Sequence, residues 1–400
     1  MTKVTIETFG CKLNQAETET MRRQLSTAGY RVVEQVSQAD VLIVNTCTVT
    51  HVADRKARQA IRAARKINHD IAVVVTGCYA ERQADEIATL PGVAAVVGMT
   101  GKGDIAAEIK LLGFQPEENL IPPELPRTRS LIKIQDGCRH HCAYCIVPSV
   151  RPHNSCVPHQ SLIEEITKRQ ADNYREIVLT GTEIGEYDDN GLDLTGLLLL
   201  ILNKTSIERI RVSSLQPREV TPELIALWYS PRLCRHFHLS LQSGSDHVLK
   251  RMRRRYDTGT FRQTVELIRT VAPTAAITTD IIAGFPGETD AEFNESLSFI
   301  REIGFARLHI FPFSARPGTA AATMPDQVDP KITQRRVKQL LETGAKCETA
   351  FLRQLAGQSF DVLFEEKESD SWIGYTDNYL RVTHQSEENL GNRIVTIRFD

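Results

Sequence analysis

Between residues 131 and 313 six short runs of mainly apolar and β-branched residues recur, with helical segments between them. They read "LIKIQ" (131–135), "EIVLTG" (176–181), "RIRVSS" (209–214), "FHLSLQS" (237–243), "TTDIIAGF" (278–285) and "RLHIFPF" (307–313). Runs this short and apolar suit parallel strands buried on both faces. Helical patterns such as "SLIEEITKRQA" (161–171) and "DAEFNESLSFIREIG" (290–304) separate them. In the second, Thr289 or Asp290 is the expected N-cap. Six consecutive βα units build a parallel barrel or part of one, with its site at the carboxyl ends of the strands. The expected fold class is therefore α/β, with a central partial (β/α)6 barrel over 131–356.

Residues 1–112 repeat the pattern on a smaller scale. "KVTIETFG" (3–10), "DVLIVNT" (40–46) and "IAVVVTG" (71–77) read as strands. "AETETMRRQLSTAG" (16–29) and "ADRKARQAIRAARKI" (53–67) read as helices. The first ends at Gly29, a natural C-cap. A Pro-rich stretch over 113–130, "PEENLIPPELPRTR" at its centre, is the expected linker. Residues 331–356 have a helical pattern. The last segment, 357–400, alternates apolar and polar residues as a small all-β module.

The chemistry is carried by cysteines. Each strand of the first domain runs into one: "TFGC" to Cys11, "VNTC" to Cys47, "VTGC" to Cys78. Parallel strands bring their carboxyl ends to one edge, so these three can converge where open α/β sheets bind ligands. A second set, "CRHHCAYC", places Cys138, Cys142 and Cys145 just after the first barrel strand. Nine cysteines spread over 400 residues are no disulfide scaffold; in a reducing compartment they point to metal or redox chemistry. Cys234 and Cys347 stand alone and read as buried, inert thiols. For the second set, zinc would want a fourth ligand from His140, His141, His153 or Cys156. A [4Fe–4S] cluster held by three cysteines would keep one iron open. The loop sits on a large scaffold that needs no structural metal, which favours the cluster.

The C-x3-C-x2-C spacing, with Tyr144 before the last cysteine and βα units following, resembles the radical S-adenosylmethionine (SAM) superfamily. With Cys11, Cys47 and Cys78 added, the whole chain resembles the radical SAM methylthiotransferases. "FGCKLNQAETE" (9–19) and "NTCTVTHVADRKARQAIR" (45–62) are most similar to the branch acting on N6-threonylcarbamoyl-adenosine in tRNA. "LKRMRRRY" (249–256) and "HIFPFSARPGT" (309–319) also match the family pattern.

The resemblance implies two [4Fe–4S] clusters, an auxiliary one on Cys11, Cys47 and Cys78 and a SAM-cleaving one on Cys138, Cys142 and Cys145. It implies two SAM molecules and methylthio transfer to carbon 2 of adenosine 37, a base in a single-stranded loop that can be splayed out. Glu183 would meet the amino group of SAM, Gly181 would allow close backbone approach, and Gln242 and Ser243 would face SAM or substrate. An electron donor such as flavodoxin or ferredoxin is implied. The last module is expected to be TRAM-like. Alternative substrates are isopentenyl-adenosine in tRNA or a ribosomal protein. The remote alternative is a non-catalytic, zinc-stabilised RNA-binding protein. One stretch departs from the family: in "VRPHNSCVP" (150–158), Pro152 stands where Gly is usual, and His153, Asn154, Ser155 and Cys156 follow.

A net charge of −2 gives no global field for nucleic acid, so RNA binding needs local patches. Arg55, Lys56, Arg58, Arg62, Arg65 and Lys66 form one candidate; Lys250, Arg251, Arg253, Arg254 and Arg255 form another. The C-terminal module has nine acidic against four basic residues, which argues against an RNA grip by charge. Its Trp372, Tyr375 and Tyr379 either contact RNA or pack on the barrel. No apolar run reaches the roughly 18 residues of a membrane span. The expectation is a cytoplasmic monomer.

Overall fold

A computed structural model describes residues 2–117 and 128–399. The middle of the expected linker, 118–127, lies outside the described residues.

The first domain is a five-stranded parallel sheet: β1 (Lys3–Thr8), β2 (Arg31–Val32), β3 (Val41–Thr46), β4 (Ala72–Gly77) and β5 (Val93–Val97). The strand order is β2-β1-β3-β4-β5. Helices cover both faces, so the central strand β3 is buried at every position. Its four aliphatic residues, Val41 to Val44, are fully enclosed. Each such side chain stabilises the fold by about 1.5–3 kcal/mol. The short β2 and the half-covered β5 were not apparent from the apolar runs. The first helix, α1 (Lys12–Thr27), starts directly after Cys11, four residues before its sequence pattern suggests. The second, α2 (His51–Ile67), is capped by Thr50, whose side chain accepts the Ala53 N–H.

The barrel begins with β6 (Arg129–Lys133). Five further parallel strands follow in chain order: Glu176–Thr180, Arg209–Val212, His236–Leu239, Ala276–Ala283 and Arg307–Pro312. The sheet is continued from the third strand to the fourth by the two-residue strand Ser214–Leu215 and a bridge from Ile210 to Leu233. One continuous apolar core packs these strands against their helices. Thr289, not Asp290, caps the helix Asp290–Ile303, and it forms a capping box with Glu292.

The C-terminal segment is a four-stranded antiparallel sheet. Its acidic groups and carbonyls meet barrel arginines. Glu365 takes Arg129 at 2.9 Å, Asp377 takes Arg235 at 2.5 Å, and the Asp377 carbonyl takes Arg211 at 2.8 Å. Tyr375 and Tyr379 stack at 5.2 Å, and Arg211 lies 4.5 Å over the Tyr379 ring. Trp372 is buried in the module's own core. These aromatics therefore pack inward, and two of the acidic side chains, Glu365 and Asp377, serve docking. Arg211 and Glu176 are a fully buried pair, joined at 2.7 Å. Removing one partner strands a buried charge, so Arg211→Met should cost about 3–5 kcal/mol in urea denaturation. It should also expose residues 355–359 to limited proteolysis as the module loosens.

Candidate functional site

The order β2-β1-β3 reverses direction at β1, and the carboxyl ends of β1 and β3 bound the resulting crevice. Cys11 follows β1 and Cys47 follows β3; Cys78 follows β4 next door. Two glycines make the approach possible. Gly10 has φ +117°, and a Cβ there would sit 2.5 Å from the Cys47 Cβ. Gly77 has φ +96°, and a Cβ there would sit 2.7 Å from the Thr46 nitrogen. Asn14 ties the loops by donating to the carbonyls of Phe9 (2.9 Å) and Thr46 (2.8 Å). Cys47 and Cys78 are buried and Cys11 is exposed. Burial pushes the Cys47 thiol up to about 12, with Cys11 and Cys78 adding to the effect. Burial likewise raises Cys78.

The second triad sits on the loop after β6. The loop is pinned on both sides: Ala143 N–H donates to the Met252 carbonyl at 3.0 Å, and the Ala143 carbonyl accepts Ala321 N–H at 2.7 Å. Gln135 joins it to the end of the next strand. Its amide NH2 donates to the Gly137 carbonyl at 2.7 Å, and its oxygen accepts the Thr182 and Glu183 N–H groups at 3.0 and 2.8 Å. Glu183 thus meets Cys138, whose Sγ lies 2.8 Å from Oε2. Burial raises the Cys138 thiol and pushes Cys145 up to about 11. Glu183 also bonds Gln216, and His140 lies 2.8 Å from it and 3.0 Å from Glu186. Glu219 joins this acidic corner, pushed up to about 8 by burial with Glu183 adding to the rise.

All nine cysteines are free thiols. Among the described residues the one group able to bring three ligand atoms within 4.8 Å of one another is His140, Glu183 and Glu186. Neither cysteine triad is drawn in that tightly. A single zinc ion, with bonds of about 2.0–2.3 Å, needs such closeness. A polynuclear cluster with one cysteine per iron tolerates a wider spread, and a set of three thiols is suitable donor chemistry for it. Cys156 is paired elsewhere: its Sγ accepts the Asp188 N–H at 3.3 Å. His153 lines a cavity with Glu17, Lys102 and Arg151.

A charged network ties Cys78 of the first triad to the segments flanking the second. Arg151, six residues beyond Cys145, donates from Nε to Cys78 Sγ at 3.3 Å. Its other nitrogens reach Glu17 (2.8 Å), Asp136 (2.7 Å) and Asn14 (3.3 Å). Lys102 bonds Glu17 and donates to Asn45 at 2.8 Å. Burial alone would raise the Glu17 carboxyl; the charges of Lys102 and Arg151 overcome it and hold it at about 2. At the other triad, Arg254 donates to Cys142 Sγ at 3.2 Å, Tyr144 OH at 3.4 Å and Gln216 at 3.0 Å.

Arg254 therefore faces the cysteine loop, whereas the sequence grouped it with an RNA patch. Its neighbours Arg253 and Arg255 are exposed, and Arg255 contacts His140 at 3.2 Å. On α2, Arg55, Lys56 and Arg62 are exposed; Arg58 is turned aside to Tyr79 OH at 2.6 Å. Gly181 leaves no room for a Cβ, which would lie 2.7 Å from the Gln135 carbonyl. Gln242 is buried with φ +70°. Ser243 turns inward, its Oγ 3.2 Å from that of Ser296. Gln135, Arg151 and Gln216 escaped the sequence reading. The only sign of Arg151 was its place at the edge of the departing stretch 150–158.

The loop and barrel define a radical SAM protein, and the comparisons agree. The Radical SAM superfamily profile matches residues 132–300, and the profile described as Uncharacterized protein family UPF0004 matches residues 3–98. The fold is similar to the radical S-adenosylmethionine methyltransferase TsrM from Kitasatospora setae (TM-score 0.59, 14% identity, covering 80% of this chain and 77% of that one). Among curated proteins, the chain is 36% identical to the threonylcarbamoyladenosine tRNA methylthiotransferase MtaB of Bacillus subtilis, covering 100% of this chain and 94% of that protein. It is 37% identical to the protein of that name from Thermotoga maritima, covering 98% and 93%. A tRNA-2-methylthio-N(6)-dimethylallyladenosine synthase from Pelotomaculum thermopropionicum is 32% identical, covering 94% and 90%. The chain belongs to the radical SAM methylthiotransferase family.

Two outcomes follow. Buried thiols must lose protons to bind iron, so cluster uptake releases protons and strengthens as pH rises. In competition with an iron chelator, cluster occupancy should climb between about pH 7 and about pH 9; a flat or falling curve would contradict the raised thiols. Arg151→Met leaves Glu17 short of a partner and should lower stability by about 3–5 kcal/mol in denaturant titration. Arg151→Lys should recover part of that loss.

Proposed function

We propose that this protein methylthiolates carbon 2 of N6-threonylcarbamoyl-adenosine at position 37 of tRNA, using two [4Fe–4S] clusters and two SAM molecules. The observation that carries the reading is the pair of thiol triads, each at the carboxyl end of its own parallel sheet, with Arg151 reaching from just beyond the second to Cys78 of the first. Cys11, Cys47 and Cys78 would hold the auxiliary cluster, and Cys138, Cys142 and Cys145 the other. When bound, these clusters supply the electron that cleaves SAM to a hydrogen-abstracting radical and an open iron that carries the sulfur. Such chemistry suits an aryl C–H bond, which has no acidic proton for a general base to remove.

The remaining work falls to the chain. Glu183, Glu186 and Glu219 form an acidic corner that would take the ammonium group of SAM. Gln135 holds that corner against the cysteine loop. Arg254 places positive charge against Cys142 and would fix Tyr144. Exposed Arg55, Lys56, Arg62, Arg253 and Arg255 would meet RNA phosphates. Gln242 would sit near SAM or substrate through its strained backbone, while Ser243 serves the fold.

The protein would work as a cytoplasmic monomer fed by flavodoxin or ferredoxin. No helix of the described residues is long and apolar enough to cross a membrane. The test is an anaerobic assay of reconstituted protein with SAM, reductant and threonylcarbamoylated tRNA. Cys138→Ala should abolish 5′-deoxyadenosine formation. Cys47→Ala should retain SAM cleavage but lose methylthio transfer. Full methylthio transfer by Cys47→Ala would sink the auxiliary assignment.

A further inference from the structure

Lys12 has an environment that works against a cation. It is the first residue of α1, at the positive end of the helix dipole, with no acidic residue in that first turn. Its side chain is half-buried, and Arg129 and Arg211 line the same cavity. The compensation is thin. Its ammonium lies 5.5 Å from the Tyr379 ring centroid, a cation–π contact. Among the described residues no carboxylate lies within ion-pair distance of it. The nearby acids are occupied: Glu176 bonds Arg211 at 2.7 Å, and Glu365 bonds Arg129 at 2.9 Å.

The same side chain lines a cavity of about 360 Å3 together with Gln15, Arg129, Arg211, Glu366 and Tyr379. The first domain, the barrel and the C-terminal module each contribute a wall. Glu366 is exposed, at the solvent side. The cavity opens beside α1, one residue from Cys11. A half-buried cation held against the helix dipole and two arginines is stabilised by any anion that enters. A carboxylate would be bound by charge-assisted hydrogen bonds.

We propose that this cavity receives the carboxylate of the threonylcarbamoyl group, and that Lys12 is the residue that recognises it. The inference rests on threonylcarbamoyl-adenosine being the substrate. It explains how a site beside an iron-binding thiol would select one N6 substituent. An apolar substituent would cover the half-buried Lys12 and leave its charge without a partner, which costs free energy. A carboxylate satisfies it. Lys12 acts on specificity and takes no part in bond making.

The test uses the reconstituted, full-length protein and two anticodon stem-loop RNAs. One carries N6-threonylcarbamoyl-adenosine at position 37. The other carries the threoninamide analogue, which lacks the negative charge. Wild type should favour the acid RNA in KM, and in RNA binding by fluorescence anisotropy, by about 10- to 100-fold, the range for a hydrogen bond to a charged group. Lys12→Gln should raise KM for the acid RNA and shrink that preference to within about threefold, and Lys12→Arg should keep it. If wild type treats both RNAs alike, or if Lys12→Gln retains the preference, the assignment of Lys12 is overturned. If wild type methylthiolates neither RNA, the substrate reading fails first and takes this inference with it. A Lys12→Arg variant that loses the preference while keeping its cluster absorbance also counts against recognition by charge.

Discussion

The rest of the site depends on a single buried guanidinium. Arg151 belongs by sequence to the barrel, just past its cysteine loop. By contact it belongs to the first domain, where it meets Cys78, Glu17 and Asn14. Burying an arginine is costly unless its hydrogen bonds and its charge are both satisfied. Here Glu17 and Asp136 supply charge; Arg151 and Glu17 are buried, and Asp136 is half-buried. Arg151 therefore acts as a fastener whose position is set from both sides. It also places a positive charge on the Cys78 thiol, and a cysteine binds iron only as thiolate.

Around that fastener the architecture follows from strand geometry. Both parallel sheets carry their loops at the carboxyl edge, and each puts three cysteines there. In the first domain the edge coincides with the reversal of strand order between β1 and β3. In the barrel it is the loop after β6, locked by Gln135 to the end of the next strand. The C-terminal sheet braces the other end of the lumen, with Tyr379 set among Arg129, Arg211 and Lys12. Two of the module's acidic side chains, Glu365 and Asp377, are taken up by barrel arginines. The exposed basic charge proposed to meet RNA rests on α2 and on Arg253 and Arg255.

Much of this was legible in the sequence because it is local. Apolar runs gave the six barrel strands and three of the first domain's five. The recurrence of a cysteine at each strand end predicted their gathering at one edge. What escaped was non-local. Arg151 is a lone arginine in a departing stretch, and its partner Cys78 lies 73 positions away. Arg254 looked like one more member of a basic run, yet the turn between Met252 and Tyr256, with Arg253 at φ +59°, sends neighbouring arginines in different directions. Two-residue strands such as β2 bury too little to leave a pattern. Tyr375 and Tyr379 carried no mark to separate packing from RNA stacking until their partners were in place.

The central claim is that this chain would hold two iron–sulfur clusters, one on each cysteine triad. Iron and acid-labile sulfide counts, with Mössbauer spectra, on anaerobically reconstituted protein test it most directly. The account predicts about eight irons and matching sulfide per chain, falling to about four when either Cys11, Cys47 and Cys78 or Cys138, Cys142 and Cys145 are replaced together by alanine. Zinc without sulfide, or a full iron count that survives loss of the first triad, would contradict it.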